Sequence, residues 1–180
     1  MRETEFWDGN ERVTFFGGNW GPVLVAAAAA ALTALAGGLA TRLGPWYWNL
    51  RKPSWQPPPW LFGPVWTTIF ALIAGAGVIG WESAPDTRSG IVLIGLFAIN
   101  ALVNIAWSVL FFTMKRPDWA LMDIVPLWLS IAALILTMQP YAARASLLLV
   151  PYLLWVSFAG YLNWTIVRLN EPFGAVAGAE

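Results

Sequence analysis

Five long apolar stretches, separated by short polar segments, dominate the order of residues along this chain. They are Pro22–Thr41, Pro64–Trp81, Ile91–Met114, Trp119–Gln139 and Ser146–Val167. A helix rises about 1.5 Å per residue, so roughly twenty apolar residues cross the hydrocarbon core of a bilayer. The pattern therefore predicts an all-α integral membrane bundle of five transmembrane helices over residues 21–170, between a polar amino-terminal tail (1–20) and a carboxy-terminal tail (171–180).

Three of the four connections between these stretches are short and rich in turn-forming residues. They are Glu82–Arg88, Lys115–Asp118, in which Asp118 is a candidate helix N-cap, and Gln139–Arg144. The first connection, Leu43–Gly63, is long and rich in aromatic residues and prolines. Because disordered linkers lack aromatic residues, we expect this connection to be ordered and to cap a cavity in the bundle. Its aromatic residues and prolines are Trp46, Tyr47, Trp48, Pro53, Trp55, Pro57, Pro58, Pro59 and Trp60.

Composition narrows the chemistry that this bundle can perform. Hydrophobic residues make up 58% of the chain and charged residues only 11%. Ten Lys and Arg balance ten Asp and Glu, so the net charge gives no indication of a nucleic-acid partner. The chain has no Cys and no His. Disulfides, thiolate nucleophiles, histidine bases and the usual metal ligands are therefore excluded, and we predict no metal site.

The cations favour one orientation in the membrane. With five spans, the first loop, the third loop and the carboxy-terminal tail share one side, which holds six cations: Arg42, Arg51, Lys52, Lys115, Arg116 and Arg168. The other side holds four: Arg2, Arg12, Arg88 and Arg144. The positive-inside rule then predicts a cytoplasmic carboxy terminus and an outside amino terminus.

Polar side chains inside the spans are informative, because an amide in hydrocarbon needs a hydrogen-bond partner. Asn100, Asn104 and Trp107 follow at helical steps of four and three, so they share one inward face. That face either binds a ligand or forms hydrogen bonds between helices. Asp123, the one acid well inside a span, either complements the amino-terminal helix dipole or points inward to a ligand or a neighbouring helix.

Two further helical faces combine large rings with small residues. In the fifth span Tyr152, Trp155, Ala159 and Asn163 align, and the small residue beside the rings leaves space that suits a planar ligand or a packed helix. In the second span a similar face either lines a site or packs in the core. It consists of Trp66, Phe70, Ile73 and Gly77.

Several unusual strings closely resemble the signatures of the TspO/MBR family, the tryptophan-rich sensory proteins known in mitochondria as translocator protein or peripheral-type benzodiazepine receptor. The first string is Trp46-Tyr47-x-x-Leu50-x-Lys52-Pro53-Ser54-Trp55-x-Pro57-Pro58, followed by Phe62-Gly63-Pro64-x-Trp66-Thr67. The later ones are Asn104-x-x-Trp107-Ser108-x-x-Phe111-Phe112, Ala120-Leu121-x-Asp123 and Val150-Pro151-Tyr152-Leu153-x-Trp155. The resemblance covers roughly residues 20 to 170.

The resemblance implies a homodimeric five-helix receptor or sensor that binds porphyrins, with sterols and benzodiazepine-type drugs as further ligands, and no bound cofactor. Trp46, Asn104, Trp107 and Ala159 match positions that line the family's cavity. Trp66 and Trp155 match the two tryptophans implicated in protoporphyrin breakdown, which makes a porphyrin-degrading enzyme one alternative. A sterol or small-molecule transporter and a purely structural protein are others. The family's sterol motif needs a Tyr close to Arg168, where this chain has Trp164.

Overall fold

The structure of the protein, a computed structural model, describes residues 20–173. These residues form helices α1 (Gly21–Ala40), α2 (Pro45–Asn49), α3 (Pro59–Glu82), α4 (Thr87–Ser108), α5 (Pro117–Met138) and α6 (Ala143–Asn170), and α4 continues into a π-helical turn, Val109–Thr113. The all-α prediction is confirmed. Nearly all of the predicted amino-terminal tail and most of the carboxy-terminal tail lie outside the described residues.

Prolines mark where several of these helices begin. α1, α2, α3 and α5 each carry one at the first or second position: Pro22, Pro45, Pro59 and Pro117. The first backbone N–H groups of a helix have no partner inside it, so a residue without an N–H is tolerated there. α4 begins differently, because the Asp86 carboxylate accepts a hydrogen bond from the Ser89 N–H at 2.7 Å.

Some predicted helix ends were wrong. α3 begins at Pro59 rather than Pro64, because the extended Pro58 allows helical geometry to start at once, and Pro64 lies inside the helix. Asp118 is not the N-cap of α5. It lies in the first turn, where its carboxylate pairs with the Arg116 guanidinium. If the π turn is counted with α4, the other ends shift by one to four residues, and α6 runs on to Asn170.

Five helices are long and apolar enough to span a membrane, α1, α3, α4 with its π turn, α5 and α6, so the chain is a multi-pass membrane protein. They pack in a closed ring, in which α1 contacts α3, α3 contacts α6, α6 contacts α5, α5 contacts α4, and α4 contacts α1. Only Gly21 and Thr33 of α1 are fully buried, and most of its other residues are exposed or partly exposed on the outer side of the ring. The central core is built mainly from α5 and α6, with Ile131, Met138 and Leu149 fully buried.

The connection between α1 and α3 lies at one end of the bundle, which we call the loop side. It contains α2 between two short non-helical segments, residues 41–44 and 50–58. The Trp48 indole N–H donates to the Leu43 carbonyl at 3.1 Å, and the Gln56 N–H donates to the Pro53 carbonyl at 3.0 Å. These bonds give the connection a fixed local shape. Its role as a cap over a cavity stays a prediction.

Candidate functional site

Aromatic and aliphatic side chains from α2, α3, α4, α5 and α6 meet at the loop side in one cluster, which we call the loop-side cluster. Tyr47 is its buried residue on α2, and burial raises the pKa of the Tyr47 phenol although Gln56 donates a hydrogen bond to it at 3.2 Å. The cluster consists of Tyr47, Phe111, Ala120, Leu162 and Ile166, with Trp46, Leu50, Phe62, Trp107, Leu110, Phe112 and Phe158 packed around them.

Two of the predicted ligand-binding tryptophans belong to this cluster. Trp46 contacts Phe111 edge to face, with ring centroids 6.2 Å apart. Trp107 lies against the same Phe111 ring at 5.3 Å and against Phe112 at 6.0 Å. Phe111 and Phe112 are adjacent residues of the π turn, and both rings contact Trp107, with their own centroids 4.7 Å apart. Trp46 and Trp107 therefore share Phe111 as a contact.

The antiparallel packing of α3 against α6 places two further predicted tryptophans, Trp66 and Trp155, at the interface of these helices. Trp155 on α6 contacts Phe62 on α3 at 5.6 Å, and Trp66, one turn further along α3, contacts Tyr152, one turn earlier on α6, at 6.2 Å. Trp66 and Trp155 thus follow one another along the same helix interface. Trp155 also contacts Phe158 at 5.4 Å, and through Phe158 it joins the loop-side cluster.

Trp55 reaches α6 from the connection. Its ring stacks on Tyr161 with centroids 5.1 Å apart and planes 15° from parallel, and it meets Phe158 edge to face at 6.0 Å. Ala159, the small residue predicted to leave space beside a ring, lies partly buried next to Phe158 and one turn beyond Trp155. The residues around Trp155 and Trp55 therefore form a continuous aromatic surface on α6.

The amides of α4 bind neighbouring helices. Asn104 Nδ2 donates to Tyr152 Oη at 3.0 Å, and Tyr152 Oη donates to Asn100 Oδ1 at 3.3 Å. Asn100 Nδ2 donates to Ser130 Oγ at 2.8 Å, and Ser130 Oγ donates to the Leu127 carbonyl at 2.7 Å. This polar network joins α4, α5 and α6 in the middle of the bundle, which accounts for the two asparagines by hydrogen bonds between helices.

Asp123 lies near the start of α5 on its inward side, and Asn163 of α6 lies close to the same part of α5. Asp123 follows the fully buried Ala120 by one turn, and its Oδ2 atom is buried. The amide of Asn163 on α6 lies 3.1 Å from the Pro117 carbonyl oxygen and 3.0 Å from the Leu121 nitrogen, so it can pair with both. Asn163 therefore holds α6 against the first turn of α5.

Four buried polar atoms around the loop-side cluster have no hydrogen-bond partner among residues 20–173. Two are donors, Trp107 Nε1 and Trp155 Nε1, and two are acceptors, Gln56 Oε1 and Asp123 Oδ2. Buried polar atoms in proteins are nearly always paired, so each unpaired one needs an explanation. Within the same residues no group of three acidic, His or Cys side chains could hold a metal ion. The arrangement suits an organic ligand with both donors and acceptors.

A groove of about 510 Å³ runs between α3 and α6 and passes Trp155. It opens outward in the membrane-spanning part of the bundle, since Leu154 on its rim is 65% exposed while Ile69 on its floor is buried. Its walls are almost entirely apolar. They are formed by Pro64, Val65, Thr68, Ile69, Leu72, Pro151, Leu154, Trp155 and Phe158.

Sequence reasoning missed several residues that shape this region. Phe62 occurs in the sequence analysis only within a family motif, although its place one turn before Trp66 indicates that it shares the same face of α3. Phe158 follows Trp155 by three residues, which carries the same signal. Gln56 gave no signal, because an amide in a loop is usually solvated. Asn170 gave no signal either, because its partner Arg51 lies 119 positions away in the sequence.

Comparison with known proteins places these features in a family. Residues 23–169 match the sequence profile of the TspO/MBR family. The tryptophan-rich protein TspO of Chlorobaculum tepidum is 49% identical over 130 residues, which cover 69% of this chain and 80% of that protein. The human translocator protein is 35% identical over 127 residues (70% and 75%) and protein CrtK of Rhodobacter capsulatus is 36% identical over 129 (71% and 79%).

Proposed function

This chain belongs to the TspO/MBR family, and on that premise we propose that it is a membrane receptor whose loop-side cluster binds a flat, apolar small molecule of the tetrapyrrole class. The relatives' names, tryptophan-rich sensory protein and translocator protein, support a sensing or transporting role in general. The choice of a tetrapyrrole rests on the chemistry of the site.

The observation that carries the proposal is the set of four unpaired polar atoms among aromatic rings. Leaving a buried donor or acceptor without a partner costs about 1–3 kcal/mol, so a ligand that pairs them gains that energy on binding. A tetrapyrrole is an apolar plane that carries carboxylate acceptors on its rim, whereas the N–H groups of a closed macrocycle point to its centre and do not reach side chains at its edge. The rim carboxylates suit the indole N–H groups of Trp107 and Trp155, which are the two unpaired donors of the set.

The shapes of the cluster and the groove agree with a planar guest. Ring contacts contribute about 0.5–1.5 kcal/mol each beyond the burial of area, and this site offers several ring faces and edges. The groove beside Trp155 measures about 510 Å³ and lies within the 300–1,000 Å³ range typical of small-molecule sites. Its apolar walls suit the hydrophobic part of such a molecule.

Titration of the purified protein with protoporphyrin IX, followed by the Soret band in the dark and by tryptophan fluorescence, tests the proposal. Trp107→Phe and Trp155→Phe keep a ring but remove the indole N–H, so each should weaken binding about 2- to 12-fold, the effect of one hydrogen bond of about 0.5–1.5 kcal/mol. Trp20→Phe is the matched control, because Trp20 is 73% exposed at the opposite end of the bundle.

A wild-type protein that shifts no Soret band, or variants whose affinity equals that of the control, would contradict the proposal. The same titration under illumination examines the enzymatic alternative. Progressive loss of the Soret band in light, diminished in Trp66→Phe or Trp155→Phe, would assign porphyrin breakdown to the tryptophans on the α3–α6 interface.

A further inference from the structure

The last residue of α6 binds the backbone of the connection between α1 and α3. Asn170 Oδ1 accepts from the Arg51 N–H at 2.8 Å, and Asn170 Nδ2 donates to the Arg51 carbonyl at 2.8 Å. One planar amide thus satisfies both backbone groups of a single residue, as a neighbouring strand would. Asn170 Nδ2 also donates to the Ile166 carbonyl at 2.8 Å, which fixes the amide on its own helix.

The segment held in this way, residues 50–58, forms a strap across the loop side. It has a second attachment to α6 at Trp55, which stacks on Tyr161. Where the strap leaves α2, Lys52 Nζ donates to the Tyr47, Trp48 and Leu50 carbonyls and caps the short helix. Prolines at 53, 57 and 58 restrict the backbone between and beyond these points.

The strap also touches the proposed binding site. Gln56 donates to the Tyr47 hydroxyl at 3.2 Å, and its Oε1 is one of the four unpaired atoms. Trp55 contacts Phe158, which packs in the loop-side cluster and lines the groove. Lifting the strap would therefore uncover the aqueous side of the cluster.

We propose that Asn170 is a positioning residue that holds the strap closed over the loop-side cluster and so sets how fast the bound ligand leaves; this rests on the function proposed above. The pairing needs a donor and an acceptor in one planar group. Aspartate keeps the size and the acceptor but lacks the donor, and leucine lacks both. Because the bonds lie at the exposed end of the bundle, breaking them loosens the strap without disturbing the core.

Two measurements on Asn170→Asp and Asn170→Leu test this. Trypsin cleaves after Arg51 only when the strap opens locally, so cleavage should be faster in both variants without any ligand. The dissociation rate of protoporphyrin IX should rise about 3- to 10-fold, the effect of losing one or two exposed hydrogen bonds, with the saturated Soret spectrum unchanged. Asn49→Asp is the control, since it makes the same charge change at an exposed site on the same membrane face.

Cleavage rates equal to those of the wild type would overturn the proposal, and so would faster cleavage with unchanged dissociation. Equal acceleration in Asn49→Asp would attribute the effect to charge and would also overturn it. If the wild type bound no protoporphyrin, the proposed function would fall, and the cleavage rates alone would decide whether Asn170 holds the strap.

Discussion

Replacing Tyr152 by Phe removes one buried oxygen atom from the polar network and leaves the ring in place. Tyr152 is 1% exposed, and its ring packs in the central core and contacts Trp66 edge to face. The hydroxyl accepts from Asn104 Nδ2 at 3.0 Å and donates to Asn100 Oδ1 at 3.3 Å. The substitution therefore isolates the contribution of two hydrogen bonds that join α4 to α6.

The expected loss of stability follows from those two hydrogen bonds. Hydrogen bonds between membrane helices average about 0.6 kcal/mol and reach about 1.7 kcal/mol, so two of them give at least about 1 kcal/mol. The Asn104 N–H then has no partner in a buried position, which raises the loss toward about 3 kcal/mol. We expect the free energy of unfolding of Tyr152→Phe to be about 1–3 kcal/mol below that of the wild type.

Equilibrium unfolding in mixed micelles of increasing SDS fraction, followed by tryptophan fluorescence, measures this difference. Tyr161→Phe is the matched control, because Tyr161 is 57% exposed and keeps its stacking ring. A double-mutant cycle with Asn104→Ala should give a coupling energy of about 0.6–1.7 kcal/mol. A loss no larger than that of Tyr161→Phe, or additive effects in the cycle, would refute the reasoning that the network stabilises the bundle.

Two further predictions concern helix packing and orientation. Gly90→Ala should lower the free energy of unfolding by about 1–3 kcal/mol, because the added Cβ would lie 2.8 Å from the Trp81 ring. Gly95→Ala, which has open space around the added Cβ, should be neutral or stabilising. Equal effects of the two substitutions in SDS unfolding would contradict this prediction. A cysteine at Ser54 should react with an impermeant maleimide from the cytoplasmic side and one at Ser83 from the outside, and the reverse labelling would invert the topology.

The sequence was sufficient to predict the spans, because twenty apolar residues have few uses other than crossing a bilayer. The ends of these spans are harder to predict from sequence where several prolines follow one another. In the run Pro57-Pro58-Pro59 each residue suits either an extended segment or a first helical turn, so the pattern alone favoured the later Pro64. Cap preferences favour Asp118 as an N-cap because they describe one residue at a time and ignore the nearby Arg116, with which its carboxylate pairs.

The site was predictable in its residue types and less so in its partners. Spacing correctly put Asn100, Asn104 and Trp107 on one face of α4, but it could not tell an amide that binds a ligand from one that binds another helix. That distinction depends on Tyr152 and Ser130, which come from other helices. The pairing of Asn170 with Arg51 needs the closed ring of helices to bring two distant residues together, so no local pattern announces it.

The π turn at Val109–Thr113 has a consequence for chain length. A π turn holds one residue more than an α turn, as the bond from the Met114 N–H to the Val109 carbonyl at 2.8 Å shows. Deleting one residue there would return the segment to α geometry and keep the membrane crossing, and the helix on either side would keep its facing, because the wider turn absorbs the extra residue. The change would fall on the turn itself, where the rings of Phe111 and Phe112 both contact Trp107. An alignment gap at this point would therefore signify a remodelled aromatic wall and not a rotated or interrupted helix.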